Sequence, residues 1–190
     1  ELIKRLEGYG NHRSFPALAA EKGRVAVLRY YHEHGIDLHQ PQTNPFDANE
    51  SETLAAIAVR SNQPAVLTYL QQAKIPLELT DTQRANLSAC PSIANIAAAH
   101  GHQRLLQEIM ASVPLEQQAD IHDPCNGNSL LYSAVQSDQP SMVLALIPHI
   151  AIAKLINRPN KDGNTPLHLA VQQLNITLVD ILLQAGADIN

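Results

Sequence analysis

The sequence predicts an all-α solenoid of stacked helix-turn-helix units, and three observations carry that prediction. A unit of roughly 35–40 residues recurs along the chain, a period that marks stacked repeats. Each copy reads as two short stretches of helical apolar periodicity joined by a turn former. The composition is 45% hydrophobic with only 4% aromatic residues and no Trp, which suits closely packed short helices better than a sheet-rich core.

The clearest copy spans residues 162–190, DGNTPLHLAVQQLNITLVDILLQAGADIN. Thr165 is placed to cap a first helix, Pro166 sits where a missing N–H costs nothing, and Leu167, Ala170 and Val171 form an apolar stripe. The second helix is expected to bury Ile176, Val179, Leu182 and Leu183, and Gly186 supplies the positive φ that ends it. Laying this template back along the chain sets Ala134, Ala97, Ala58 and Ala19 under Ala170, at spacings of 36, 37, 39 and 39. The upstream copies are NGNSLLYSAVQ at 126–136, SIANIAAAHGHQRLLQEIM at 92–110, TLAAIAVRSNQPAVLTYL at 53–70 and FPALAAEKGRVAVLRYYHEHGIDL at 15–38.

T-P-L-H-x-A followed by G-A-D-I-N, with Gly23 and the Gly101-His102 pair at the turn between helices, resembles the ankyrin repeat family over nearly the whole chain. The fifth copy carries the most specific match and the first and third are good, while the second and fourth rest mainly on register. The expected organisation is a single ankyrin repeat domain over residues 1–190. Its repeats fall near 11–48, 49–87, 88–123, 124–157 and 158–190, and residues 1–10 form a cap or part of a preceding repeat.

Departures from the period locate irregular features. The stretches from His39 to Thr53 and from Glu78 to Ser92 are both longer than the equivalent stretch from Asn157 to Thr165. The segments 40–52 and 79–91 hold prolines and turn formers and read as enlarged fingers. Extra residues in ASVPLEQQADIH and PHIAIAKLIN predict longer second helices in the third and fourth repeats. No polar capping repeat follows the fifth, and an uncapped end exposes apolar surface, so a fragment of a longer protein is expected.

A net charge of −5 and a sequence pI near 6.0 leave no basic stripe to neutralise phosphates, which argues against nucleic-acid binding. The longest apolar stretch, 143–156, is broken by Pro148, His149 and Lys154 and falls short of the roughly 20 residues of a membrane span. Cys90 and Cys125 lack any C-x-x-C partner and are expected to be free thiols in a reducing compartment. Residues 1–6 carry no leader-like apolar run. The expected location is intracellular, cytoplasmic or nuclear; secretion into a host cell is compatible with the sequence but not shown by it.

Chemistry finds little footing. His32-Glu33-His34 lacks the i, i+4 spacing that puts two ligands on one helical face, and His100 and His102 are expected to point apart. His168 matches the family histidine, which the resemblance implies is a structural residue bonded to Thr165. No nucleophile, acid and base converge, Gly163 stands alone, and Glu50 with Glu52 reads as a solvated loop. Neither enzyme activity, cofactor nor metal is expected.

Stacking the units generates a continuous concave face of loop tips and first helices. The resemblance implies that partners are contacted beside the glycine before the first helix and just after its Ala-Ala pair. Those positions are Arg13, Glu21 and Lys22 in the first repeat, Glu50, Glu52 and Arg60 in the second, and His100 in the third. The fourth supplies Asn126, Asn128 and Gln136, and the fifth Lys161, Asp162, Asn164, Gln172 and Gln173. The expected function is a monomeric interaction module that binds another protein through this face. The alternative is a substrate-recruiting or targeting domain of a larger enzyme or bacterial effector whose catalytic part lies outside the chain. Arg13 and Arg60 stand out because Arg is favoured at energetic hot spots, and the two fingers are expected to carry specificity.

Overall fold

A computed structural model describes residues 14–44, 47–80, 91–112, 121–148 and 153–189, with the backbone alone described at 43, 44, 47–51, 153 and 154. The chain divides into two compact units, residues 1–90 and 91–190.

The first unit holds two repeats. Helices α1 (Phe15–Glu21) and α2 (Val25–Glu33) form the first, and α3 (Leu54–Arg60) and α4 (Pro64–Gln72) the second. Helix α1 packs on α3, and α2 on α4. Their small inner residues, Ala17, Ala19, Ala20, Ala55 and Ala58, are buried and let the helix axes approach closely. Between the repeats, β1 (Gln42–Asn44) pairs antiparallel with β2 (Asp47–Glu52). The finger expected at 40–52 is therefore a β-hairpin, the one departure from helix among the described residues besides isolated bridging. The finger expected at 79–91 falls mostly on 81–90, outside the described residues.

The second unit holds three repeats: α5 (Ile93–Ala99) with α6 (Gln103–Ala111), α7 (Leu130–Gln136) with α8 (Pro140–Leu146), and α10 (Pro166–Gln172) with α11 (Ile176–Gln184). A short α9 (Ala153–Ile156) leads into the last pair. Helix α7 lies against both α5 and α10, and α8 against α11. Leu131, Met142, Leu178 and Leu182 are among the fully buried side chains.

One cap design recurs in every repeat. Ser14, Thr53, Ser92, Ser129 and Thr165 each stand at the N-cap, and each hydroxyl accepts the backbone N–H three residues on. Such a cap is worth about 1 kcal/mol because it satisfies one of the orphan donors of the first turn. In the fifth repeat, His168 completes the motif: its Nδ1 accepts the Thr165 N–H at 3.1 Å, as the family resemblance implied. A second recurrence is the turn between helices, where Gly23, Asn62, Gly101, Asp138 and Leu174 all hold a positive φ. Gly23 and Gly101 are also crowded from outside, since a Cβ there would collide with the side-chain amides of Gln63 and Gln139.

Several sequence expectations are corrected. The second helices of the third and fourth repeats are not extended: α6 has nine residues and α8 seven. Ser112 Oγ donates to the Ile109 carbonyl at 2.6 Å as α6 ends. Pro148, which lacks the N–H that α8 would need to continue, follows its C-cap. In the fifth repeat Val171, Ile176 and Leu183 are exposed rather than buried, and Leu178 joins Leu182 in the core. Apolar periodicity marks a face but not what covers it. Cys125 is disulfide-bonded, not the free thiol expected; Cys90 lies outside the described residues.

Candidate functional site

Of the positions expected to face a partner in the first unit, Arg13 lies outside the described residues, as does the side chain of Glu50. Glu21 ends α1 and pairs with the neighbouring Lys22 at 2.8 Å. Glu52 and Arg60 are brought together: both guanidinium nitrogens of Arg60 reach the two carboxylate oxygens of Glu52, Nη1 to Oε2 at 3.0 Å and Nη2 to Oε1. This fork joins β2 to the end of α3. An arginine committed in this bidentate manner braces the hairpin, and it is less open to a partner than a solvated one. The hairpin is anchored at its other strand by Ser14, whose Oγ donates to Gln42 Oε1. At its base Asp37 is held below the usual carboxylate range, first by the His39 backbone N–H and then by the Gln40 side chain.

The second unit assembles most of the remaining candidates. Lys161 Nζ donates to the carbonyls of Pro124 and Cys125 at 2.8 and 2.9 Å, and its backbone N–H donates to Asn126 O at 2.9 Å. Two successive loop tips are thereby locked together. Asn126 Oδ1 in turn accepts the Asn128 N–H at 2.9 Å. Asn128 is turned inward, at 5% exposure; its Oδ1 accepts from Asn160 Nδ2 at 3.1 Å and its carbonyl accepts from Asn95 Nδ2 at 2.9 Å. Its place is in the joint between repeats, not on an open surface.

Asp162 and Asn164 are exposed at the tip of the fifth repeat. Their backbone N–H groups both donate to Asn160 Oδ1, at 3.0 and 2.9 Å, so one side chain fixes the loop that presents them. At the far end of the inner helices, Gln173 Nε2 donates to Gln136 O at 3.1 Å, and Gln136, Gln172 and Gln173 are all exposed. Beneath the tip, Tyr132 is buried. Burial pushes its phenol above the ordinary tyrosine value, and the nearby Asp162 carboxylate pushes in the same direction.

His100 is exposed, with Nδ1 3.0 Å from Ile96 O. Its ring stacks with that of His102 at 5.8 Å between centroids, so the two histidines do not point apart as expected. Among the described residues no group of three or more His, Cys, Asp or Glu side chains is placed to hold a metal ion.

Sequence reasoning missed two organisers, Asn160 and Asn95. Asn160 opens an N-K-D-G stretch, and an asparagine that bonds the backbone two residues on is a legible turn signal. Asn95, at 1% exposure, occupies the position that His168 holds in the fifth repeat. Its Nδ2 also donates to Ser133 Oγ at 2.8 Å. Nothing local to α5 reveals partners that lie a full repeat further along the chain.

The loop tips, caps and helix pairs agree with comparisons to known proteins. A family model described as ankyrin repeats, in three copies, matches residues 94–190. The chain is 41% identical over 66 residues to the nuclear factor NF-kappa-B p100 subunit of Gallus gallus, covering 34% of this chain and 7% of that protein. It is 29% identical over 142 residues to the putative ankyrin repeat protein FPV031 of Fowlpox virus, covering 74% and 39%. It is 22% identical over 214 residues to the phosphocholine transferase AnkX of Legionella pneumophila, covering 91% of this chain and 22% of that enzyme. The chain thus spans well under half the length of each of these relatives. No helix among the described residues is long and apolar enough to cross a membrane. With more than half of its length matched by three copies of the repeat, the chain belongs to the ankyrin repeat family.

Proposed function

We propose that the chain binds a protein partner through its repeat loop tips and inner-helix ends, with the exposed polar side chains of Gln136, Asp162, Asn164, Gln172 and Gln173 as the contact set in the second unit. The observation that carries this reading is the lock between Lys161 and the preceding loop. The backbone under Asp162 and Asn164 is ordered before any partner arrives, and preorganisation lowers the entropic cost of binding. Family membership supports the same reading, because ankyrin repeats are protein-interaction modules and in general non-catalytic. In the first unit the hairpin braced by Arg60 and Glu52 is the feature that distinguishes this chain from a regular repeat, and specificity is assigned to it.

The test is a quantitative pull-down comparing the wild-type chain with an Asp162→Arg, Gln172→Arg double variant. The expected result is a loss of roughly tenfold or more in affinity for a specific partner, a difference of about 1.4 kcal/mol. Unchanged recovery of every specific partner sinks the proposal.

A second reading is that the repeats direct a larger enzyme to its target. It is supported by the match to AnkX, which takes in 91% of this chain but only 22% of that enzyme. Activity would then belong to segments other than these repeats. Expression of the full reading frame with and without residues 1–190 distinguishes the two, since a directing role predicts mislocalised activity when the repeats are removed.

A further inference from the structure

The loop at residues 123–128 is shaped from within and fastened differently in its two halves. Asp123 N–H donates to Asn128 O and Gly127 N–H to Asp123 O, both at 2.8 Å, and Cys125 N–H donates to Asp123 Oδ1 at 2.8 Å. The later half is anchored by Asn128, which reaches Asn95 and Asn160. The earlier half carries the disulfide of Cys125, a half-buried residue. That same half supplies both carbonyls that hold Lys161 Nζ, those of Pro124 and Cys125. The join with Lys161 has little slack, since a Cβ on Gly127 would stand 3.2 Å from Lys161 Cγ and 3.3 Å from Lys161 N.

We infer that the disulfide of Cys125 is a redox-sensitive clamp on the loop tip of the fifth repeat. Oxidised, it holds the Pro124 and Cys125 carbonyls against Lys161; reduced, it releases them and loosens the backbone that presents Asp162 and Asn164. Residue 125 joins the two roles, because its side chain forms the covalent bond and its carbonyl accepts from Lys161. A cross-link restricts the conformations open to the segment it ties, and cutting it returns that freedom. With two cysteines in the sequence, Cys90 supplies the other sulfur. Reduction is thiol–disulfide exchange with a dithiol. One thiolate of the reductant attacks a sulfur of the bond, the S–S bond breaks as a mixed disulfide forms, and the displaced cysteine leaves as a thiolate and takes up a proton. The reductant's second thiolate then displaces the remaining cysteine and closes the reductant's own disulfide, so two electrons and two protons pass to the chain. Control of binding by this clamp rests on the contact set proposed above.

Hydrogen–deuterium exchange on the 190-residue chain, with and without dithiothreitol, tests the clamp in the absence of a partner, so its failure is separate from a failure of the pull-down. Reduction is expected to speed exchange about tenfold or more at the Cys125, Gly127, Lys161 and Asp162 amides, each bonded in the oxidised loops, and to leave the amides of α11 unchanged. Cys125→Ser should match the reduced wild type and show no response to dithiothreitol. Cys90→Ser should do the same, and it carries the test if Cys125→Ser fails to fold, because it cuts the bond at a residue outside the loop. Equal exchange at those amides in the oxidised and reduced chains overturns the inference. So does acceleration spread evenly over α5 to α11, which marks a staple of global stability and not a clamp on the loop. Two carbamidomethyl groups added by iodoacetamide before any reduction would equally sink it, since no bond would then be present to cut.

Discussion

The side-chain amide of Asn175 donates to the carboxylate of Asp138 at 2.7 Å, tying the inter-helix turn of the fourth repeat to that of the fifth. Asp138 holds φ at 51° and the equivalent Leu174 holds 57°. The left-handed conformation is thus imposed on the turn by its place in the stack and not by the residue that happens to occupy it. Asp is among the residues that tolerate it; Leu is not.

Leu174 is also 85% exposed, so its side chain contributes little packing in return for the strain. Leu174→Gly is expected to stabilise the chain by about 0.5–1 kcal/mol, the relief of αL strain being partly offset by the greater freedom of glycine in the unfolded state. Urea unfolding of the variant checks this through a raised midpoint at constant slope. Gly101→Ala, at φ 70° and against the Gln139 amide, should shift the midpoint the other way.

Asn95 is a buried amide with every polar atom engaged: Oδ1 accepts from Ser92 Oγ at 2.7 Å, and Nδ2 donates to Asn128 O and Ser133 Oγ. Asn95→Ala removes these bonds and leaves the Ser133 hydroxyl short of a partner in the interior, at an expected cost of about 1–3 kcal/mol. The Asn128 carbonyl keeps its bond from Asp123 N at 2.8 Å, which holds the cost below a complete loss of folding. A midpoint equal to wild type would show that the third and fourth repeats do not depend on this amide.

Tyr132 and Tyr69 both have phenols raised above the ordinary value of 10.0 by burial, with Asp162 adding to the effect at Tyr132 and Arg29 opposing it at Tyr69. A folded-state pKa above the unfolded one means that, as pH climbs past 10.0, the unfolded chain loses its protons first. Stability is therefore unaffected below that pH and falls above it. Phenolate absorbance followed through an alkaline titration should show Tyr132 ionising after an exposed tyrosine, and Tyr132→Phe should lessen the alkaline loss of stability. A single transition common to all tyrosines at their ordinary value contradicts the assignment.

The repeat, its caps and its turns were legible in the chain because each is a local device. A hydroxyl shortly before the aligned alanine caps the helix that contains it, and the apolar stripe of α10 needs only its own helical period. The same locality left other features invisible. Val171 and Ala98 occupy one sequence position, yet one is exposed and the other buried, because burial is conferred by the neighbouring repeat. The pairing of Arg60 with Glu52 required the hairpin that brings β2 back onto α3. Asn128, chosen as a surface position by resemblance, is held inside by Asn160 and Asn95. The amino-acid sequence by itself determined the class of fold, the register of its repeats and the capped start of the helix at Thr165, since those follow from hydrogen bonding and apolar spacing within a few helical turns. Only the tertiary structure decided which of the expected contact residues face solvent and which brace the loops, because each depends on side chains a full repeat apart in the chain.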